Sequence, residues 1–284
     1  MENTFTIMPM SQQVNLTPGE TYTGTITIVN PVDATQDFHY KMSISPYSVI
    51  GQDYTADLKT VTGRNEITNW ITIEEPTGVV KPNESKKIQY TIKTPSNAAA
   101  GGQYAAITVS SNNDTVQSGG VAVNNVFEMA SLIYANVSGD IVREGNILEN
   151  NIPGFVAVPP IEVSALLENK GNIHESATVV LNVTNFFTGE VIFPKSEDNN
   201  EFNELVMPET TYLATRNITN LPSLGVVKVK QTIYFNGKSS VEERDVIICP
   251  IWFLLLVIAC IAGIVGFIVM RIKKHKKKND LSSM

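Results

Sequence analysis

The chain has 284 residues, enough for about two ordinary domains and an anchor, and only 17% of them are charged. Six of the 21 basic residues and one of the 28 acidic ones lie after residue 270, so the rest of the chain carries a net charge of −12. Such an acidic surface excludes nucleic acid as a partner, because phosphates need a basic footprint.

The chain opens on MENTFTIMPMSQQ. That stretch has neither the basic n-region nor the apolar h-region of a signal peptide, so an exported form is expected to derive from a precursor beginning earlier. Strand patterning starts at once. In Thr21–Asn30, Tyr22, Gly24, Ile26 and Ile28 alternate with four threonines; in Phe38–Ile44, Phe38, Tyr40, Met42 and Ile44 alternate with His39, Lys41 and Ser43. In Lys87–Lys93, Ile88, Tyr90 and Ile92 alternate with polar residues. A period of two in β-branched and aromatic residues marks strands with one buried and one wet face. Residues 96–100 could form a helical turn.

The second half repeats the pattern. Ile161, Val163, Ala165 and Leu167 alternate, as do Ala177, Val179, Leu181 and Val183. Val227, Val229, Ile233 and Phe235 lead into Asn236-Gly237, a strong hairpin signal because both turn positions need positive φ. The returning strand, Val241–Ile248, runs almost directly into an apolar segment, which places the second domain close to the bilayer. Many short strands between Pro, Gly and Asn turns predict an all-β chain of two tandem immunoglobulin-like antiparallel sandwiches. The expected limits are 1–137 and 138–248 for the sandwiches, 249–270 for a transmembrane helix and 271–284 for a basic tail.

The two halves echo one another. VVKPNESKKIQYTIKTPSNAAAGGQYAAITV and VMPETTYLATRNITNLPSLGVVKVKQTIYF share an apolar run, a proline (Pro82, Pro208), a strand, a second proline (Pro95, Pro222) and a glycine opening the next strand (Gly102, Gly225). TITIVN and VSALLEN precede them at matching places. One Greek-key unit used twice accounts for this.

No charge falls between Val246 and Met270, long enough to cross a hydrocarbon core about 30 Å thick. Pro250 suits the start of that helix, and Trp252 sits where an interfacial aromatic belongs. Ala259-x-x-x-Gly263 and Ala262-x-x-x-Gly266 would let two such helices approach closely, so a helix-mediated homodimer is one expected partner state. Arg271, Lys273, Lys274, Lys276, Lys277 and Lys278 form a stop-transfer cluster facing lipid headgroups, with the C-terminus cytoplasmic and residues 1–245 outside. A cytosolic tail-anchored adaptor is the opposite topology. Cys249 and Cys260 are the only cysteines, so disulfides do not staple the domains.

No catalytic constellation or cofactor motif is present. His39 falls on the polar face of a strand and His174 in a turn, neither with a nucleophile elbow. Zinc spacing and phosphate loops are absent. Ser196–Glu201 is rich in oxygen but lacks a calcium-loop pattern and reads as a hairpin tip. The six Asn-x-Ser/Thr sites (Asn15, Asn83, Asn113, Asn136, Asn182, Asn217) are as many as an Asn- and Thr-rich chain yields by chance. Trp70 is either a recognition aromatic or, more simply, a core residue.

FTIMP, the TPGET turn, the Trp-containing segment NWITIEE, VVKPNESKKIQYTI and AAAGGQYAAITV, followed by LENKGN and a terminal strand entering an anchor, resemble the WxL-interacting protein family of Gram-positive bacteria. The acidic stretch around Glu197–Glu204 departs from it. The resemblance implies a cell-surface protein whose first domain binds peptidoglycan and whose second engages partner surface proteins. The expected function is therefore non-enzymatic binding or scaffolding, with strand addition at an open sheet edge as its mechanism. An accessory or chaperone-like subunit of an envelope complex is the alternative.

Overall fold

A computed structural model describes residues 5–111, 127–195 and 198–282, with side chains up to residue 271. Asn113 and the start of the oxygen-rich loop, Ser196 and Glu197, lie outside the described residues, as do the side chains of Lys273, Lys274, Lys276, Lys277 and Lys278.

Twenty strands and one long helix follow in order. They are β1 (Thr6–Met8), β2 (Ser11–Leu16), β3 (Thr21–Val29), β4 (Phe38–Pro46), β5 (Ser48–Ile50), β6 (Thr55–Asp57), β7 (Ile71–Ile73), β8 (Thr77–Val80), β9 (Ser85–Lys93), β10 (Gly101–Ser111) and β11 (Glu128–Val137). Then come β12 (Gly145–Asn151), β13 (Phe155–Val156), β14 (Ile161–Asn169), β15 (Glu175–Asn185), β16 (Val191–Phe193), β17 (Glu201–Val206), β18 (Thr210–Ile218), β19 (Gly225–Phe235), β20 (Lys238–Ile248) and α1 (Ile251–Ser282). The fold is two immunoglobulin-like β-sandwiches and a C-terminal helix, the class that the alternation predicts.

The chain forms two compact units. Unit 1 is Met1–Asn146 with Leu167–Ser176 and Leu205–Leu213; unit 2 is Ile147–Leu166, Ala177–Glu204 and Ala214–Met284. The division cuts through β12, β14, β15, β17 and β18, whose ends count with unit 1.

Unit 1 has sheets ordered β1-β3-β9-β7 and β2-β11-β10-β4-β8. Their inward residues, among them Ile26, Ile28, Tyr40, Ile88, Tyr90, Ile107 and Ile133, fill one core. Trp70 joins that core rather than a surface, at the end of a 3-10 turn (Glu66–Asn69) and before β7, not on a strand. The expected helical turn at 96–100 is a plain turn; the five residues between Pro95 and β10 are too few to sustain a helix.

The ladders of β2 with β11 and of β13 with β20 are parallel. In unit 1 the entering chain pairs first with β3 through β1, then passes Pro9 and Met10 and pairs with β11 through β2. A strand that changes sheets meets the last strand of the other sheet running its own way.

In unit 2, β20 returns along β19 from Phe235↔Lys238 to Gly225↔Ile248. Asn236 and Gly237 both have positive φ (46° and 72°), as their hairpin turn requires. Val179, Leu181, Val183, Val227, Val229 and Ile233 are buried, and the Gln231 amide crosses to the Ser164 carbonyl at 3.1 Å.

The echo between halves has a structural basis. Asn83 and Glu209, each just after its proline, have φ of 61° and 59°. Gly101 and Gly225 open β10 and β19 at φ 121° and 147°, where a side chain would strain the backbone; the matched glycine of the first half is thus Gly101, one residue before Gly102. Asn30 and Asn169, at corresponding strand ends, are both buried. The Asn30 amide donates to the carbonyls of Gln36 and Val80, both at 3.0 Å. The Asn169 amide donates to Ile173 and Val206 at 2.9 and 3.0 Å. Each asparagine ties the end of one strand to the residue two before the proline turn, so backbone carbonyls that leave the ladder stay satisfied.

Glu201–Val206, inside the stretch that reads as an acidic insertion, is strand β17 paired to β15. Its alternation turns Glu204 and Val206 inward. A buried carboxylate is tolerable only with a counter-charge, and the Arg216 guanidinium ion-pairs with Glu204.

Candidate functional site

A strand displays its N–H and C=O groups alternately to its two neighbours. In β11, the Leu132 N–H donates to the Met10 carbonyl at 2.9 Å, on the β2 side. The backbone groups of Glu128 and Ala130 therefore point the same way, while those of Met129 and Ser131 point to β10. β2 covers only Leu132–Val137. Among the described residues, no strand pairs with Glu128–Ser131 on that side. The N–H and C=O of Glu128 and Ala130 thus form an open edge.

Its surroundings are apolar. Phe127, Met8 and Met10 are exposed. Glu128 is the one charge in the run from Phe127 to Val137. Period-two searching passes over this strand because both of its faces carry apolar residues, in MASLIYANV. The usable signal is the continuous apolar run itself.

The last strand of unit 2 offers a contrast. β13 covers only Ile247 and Ile248 of β20. The Ile247 N–H donates to Gly154 at 3.0 Å, so Val241, Glu243 and Asp245 direct their backbone groups outward. Glu242, Glu243, Arg244 and Asp245 crowd that edge with charge, the usual guard against unwanted pairing. The β11 edge has no such guard.

Next to β11 lies an aromatic cluster in unit 1. Tyr104 packs edge-on against Tyr134, and His174 stands against both, with ring centroids 5.7 and 5.6 Å away. The His174 backbone N–H donates to the Tyr104 hydroxyl at 3.1 Å, and that hydroxyl lies 3.2 Å from His174 Nδ1. Burial, helped by the charge of Arg143, pulls the His174 pKa down to about 4, so the ring is neutral at physiological pH. Burial also raises the Tyr104 and Tyr134 hydroxyls above their ordinary range. The turn histidine is thus a packing element, and His39 is exposed on its strand's polar face.

A cleft of about 520 Å³ opens beside this cluster, lined by Tyr47, Arg64, Gln103, Tyr104, Met207 and Glu209 among others. Arg64 is held there by the Asn172 carbonyl at 2.9 Å and the Glu209 carboxylate at 2.7 Å. Among the described residues, no three His, Cys, Asp or Glu side chains are grouped to hold a metal.

The predicted anchor residues fall on or beside one helix. Pro250 precedes α1, and its carbonyl accepts from Phe253 and Leu254 at 2.9 and 3.3 Å. Trp252, Ala259, Gly263, Gly266 and Arg271 lie along α1, and nothing stands within 4 Å of a Cβ built on Gly263 or Gly266. Ile251–Arg271 is long and apolar enough to cross a membrane and is not buried against the units. Cys249 is a buried residue following β20, its N–H donating to Val156 at 3.0 Å.

No protein-family model matches the chain, and no curated protein matches it. Solved structures that share its fold include a chaperone–tip adhesin complex of CFA/I fimbriae (12% identity, 85% of this chain and 98% of the other, TM-score 0.41). The class 5 fimbriae chaperone CfaA (14%, 85% and 99%, TM-score 0.40) and the E. coli chaperone DraB (11%, 86% and 97%, TM-score 0.37) are similar to it in the same way. At such identities the likeness is one of β-sandwich architecture alone.

Proposed function

We propose that this chain is a membrane-tethered surface protein that holds partner polypeptides in an accessory or scaffolding role, by strand addition at the open edge of β11. The observation that carries this reading is the pair of backbone positions, Glu128 and Ala130, that have no strand partner among the described residues, on a weakly charged edge. An extended segment laid there gains main-chain hydrogen bonds from the edge and selectivity from the apolar side chains of Phe127, Met8 and Met10. The basic residues of 271–278, which follow the apolar part of α1, support a cytoplasmic C-terminus, with both units outside. On the resemblance to WxL-interacting proteins, the partners are exported surface proteins, and cell-wall peptidoglycan is a further ligand of the first sandwich.

The test is capture by the full chain in nanodiscs, with exported surface proteins and purified peptidoglycan as separate arms. Polypeptide capture that Ala130→Pro weakens several-fold or more supports the reading. Capture indifferent to that substitution, or capture of peptidoglycan alone, overturns it.

A further inference from the structure

Four stretches at the end of unit 2 from which α1 leaves have no charged residue of their own. Residues 152–160 (IPGFVAVPP), 184–189 (TNFFTG), 217–227 (NITNLPSLGVV) and 246–252 (VIICPIW) contain no Asp, Glu, Lys or Arg. The ladders bring these four stretches together. Phe155 pairs with Ile247, Val226 pairs with the same residue from the other side, Gly225 pairs with Ile248, and the Phe186 N–H donates to the Val226 carbonyl at 3.2 Å. The other end of the same ladder holds the polar Asn236-Gly237 turn, and charges line β20 between them.

Large apolar side chains on these stretches face outward. Phe187 is 77% exposed, and Phe155, Val158, Phe186, Leu224 and Ile247 lie between 43% and 63%. Single exposed apolar residues need no explanation, but six on these four uncharged stretches form a patch that marks a contact surface. Phe186 and Phe187 project from one turn with ring centroids 5.1 Å apart. The occupant follows from connectivity. Ile248 is three residues from Ile251, so the start of α1 is within roughly 10 Å of the patch.

We propose that this end of unit 2 is a membrane-docking surface, seated in the headgroup–acyl boundary of the bilayer that α1 crosses. The proposal rests on the spanning reading of α1. Docking through aromatic and aliphatic side chains without basic residues calls for the apolar boundary itself rather than for anionic headgroups. Three contacts from separate loops, added to the helix, would hold the unit in one orientation and set the height of its sheets above the membrane.

The experiment places a nitroxide at one position at a time in the full chain, with Cys249 and Cys260 replaced by alanine, in phosphatidylcholine vesicles. The positions are Phe187→Cys in the patch, Ser239→Cys at the hairpin end of β20 and Ile261→Cys in α1. Collision with a water-soluble nickel chelate and with oxygen reports depth. Docking predicts nickel collision at 187 several-fold below that at 239, with oxygen collision raised, and position 261 at acyl depth. Equal nickel access at 187 and 239, with 261 still at acyl depth, overturns docking and leaves the anchor standing. Nickel access at 261 removes the anchor and docking with it. Dipolar broadening at 187 that disappears on diluting labelled with unlabelled protein assigns the patch to a second copy and also overturns the proposal.

Discussion

Proline substitution at Ala130 and at Ser131 separates an open strand edge from a closed one. The two residues are neighbours on β11, but their backbone N–H groups point in opposite directions. Leu132 donates to Met10 on the β2 side, so the Ala130 N–H faces the same way, beyond the end of β2, while the Ser131 N–H faces β10 opposite Ile107. Ser131 is fully buried. Ser131→Pro deletes a ladder hydrogen bond worth about 1 kcal/mol net and leaves a buried carbonyl unsatisfied at about 1–3 kcal/mol, a loss of roughly 2–4 kcal/mol. Ala130→Pro deletes a donor that has no strand partner, and proline on an edge is tolerated, so its cost in stability is below about 1 kcal/mol. In binding, Ala130→Pro removes one main-chain hydrogen bond to an added strand, about 0.5–1.5 kcal/mol or roughly two- to twelvefold in affinity, with the ring's bulk adding to that. Urea titration of the two variants, followed by tryptophan fluorescence of the buried Trp70, measures the first pair of numbers. Equal destabilisation by both prolines would refute the reasoning, because it would mean that the Ala130 N–H is already bonded within the chain.

Asn30→Ala loses two buried hydrogen bonds and Asn169→Ala loses three, counting the Gly171 N–H that donates to Asn169 Oδ1 at 2.8 Å, so chemical denaturation should show losses of about 2 and about 3 kcal/mol. His174 has its pKa lowered in the folded state, so the unfolded chain binds the extra proton between about pH 6.5 and 4. Its contribution is fully present above pH 6.5 and is lost as the pH falls through that window, by at most about 3 kcal/mol; the difference in unfolding free energy between the chain and His174→Gln, measured from pH 7 to pH 4, should shrink accordingly. Arg216→Ala weakens the compensation of a buried carboxylate and should cost about 3 kcal/mol, and adding Glu204→Gln should restore most of it in thermal melts.

Period-two alternation was enough to place β3, β4, β9, β14, β15 and β19, because each has one face in a core and one in water, and burial writes itself directly into residue type. The Asn236-Gly237 hairpin was legible for a similarly local reason, since few residues adopt positive φ. The apolar helix followed from an uncharged run long enough to cross a hydrocarbon core. The sequence likewise showed the repeat of the proline turns. It did not show that Asn30 and Asn169 lock those turns, because an asparagine's partners are carbonyls 4 to 50 residues away and leave no mark on its neighbours. β11 escaped because it is apolar on both faces, and β17 because its inward glutamate is readable only beside Arg216. Composition and periodicity therefore determined the class of fold and the position of the helix, both properties of short windows. The open edge of β11, the guarded edge of β20 and the apolar end of unit 2 were decided by which strand ends meet in the tertiary structure, since an unpaired backbone group is defined by the neighbour it lacks.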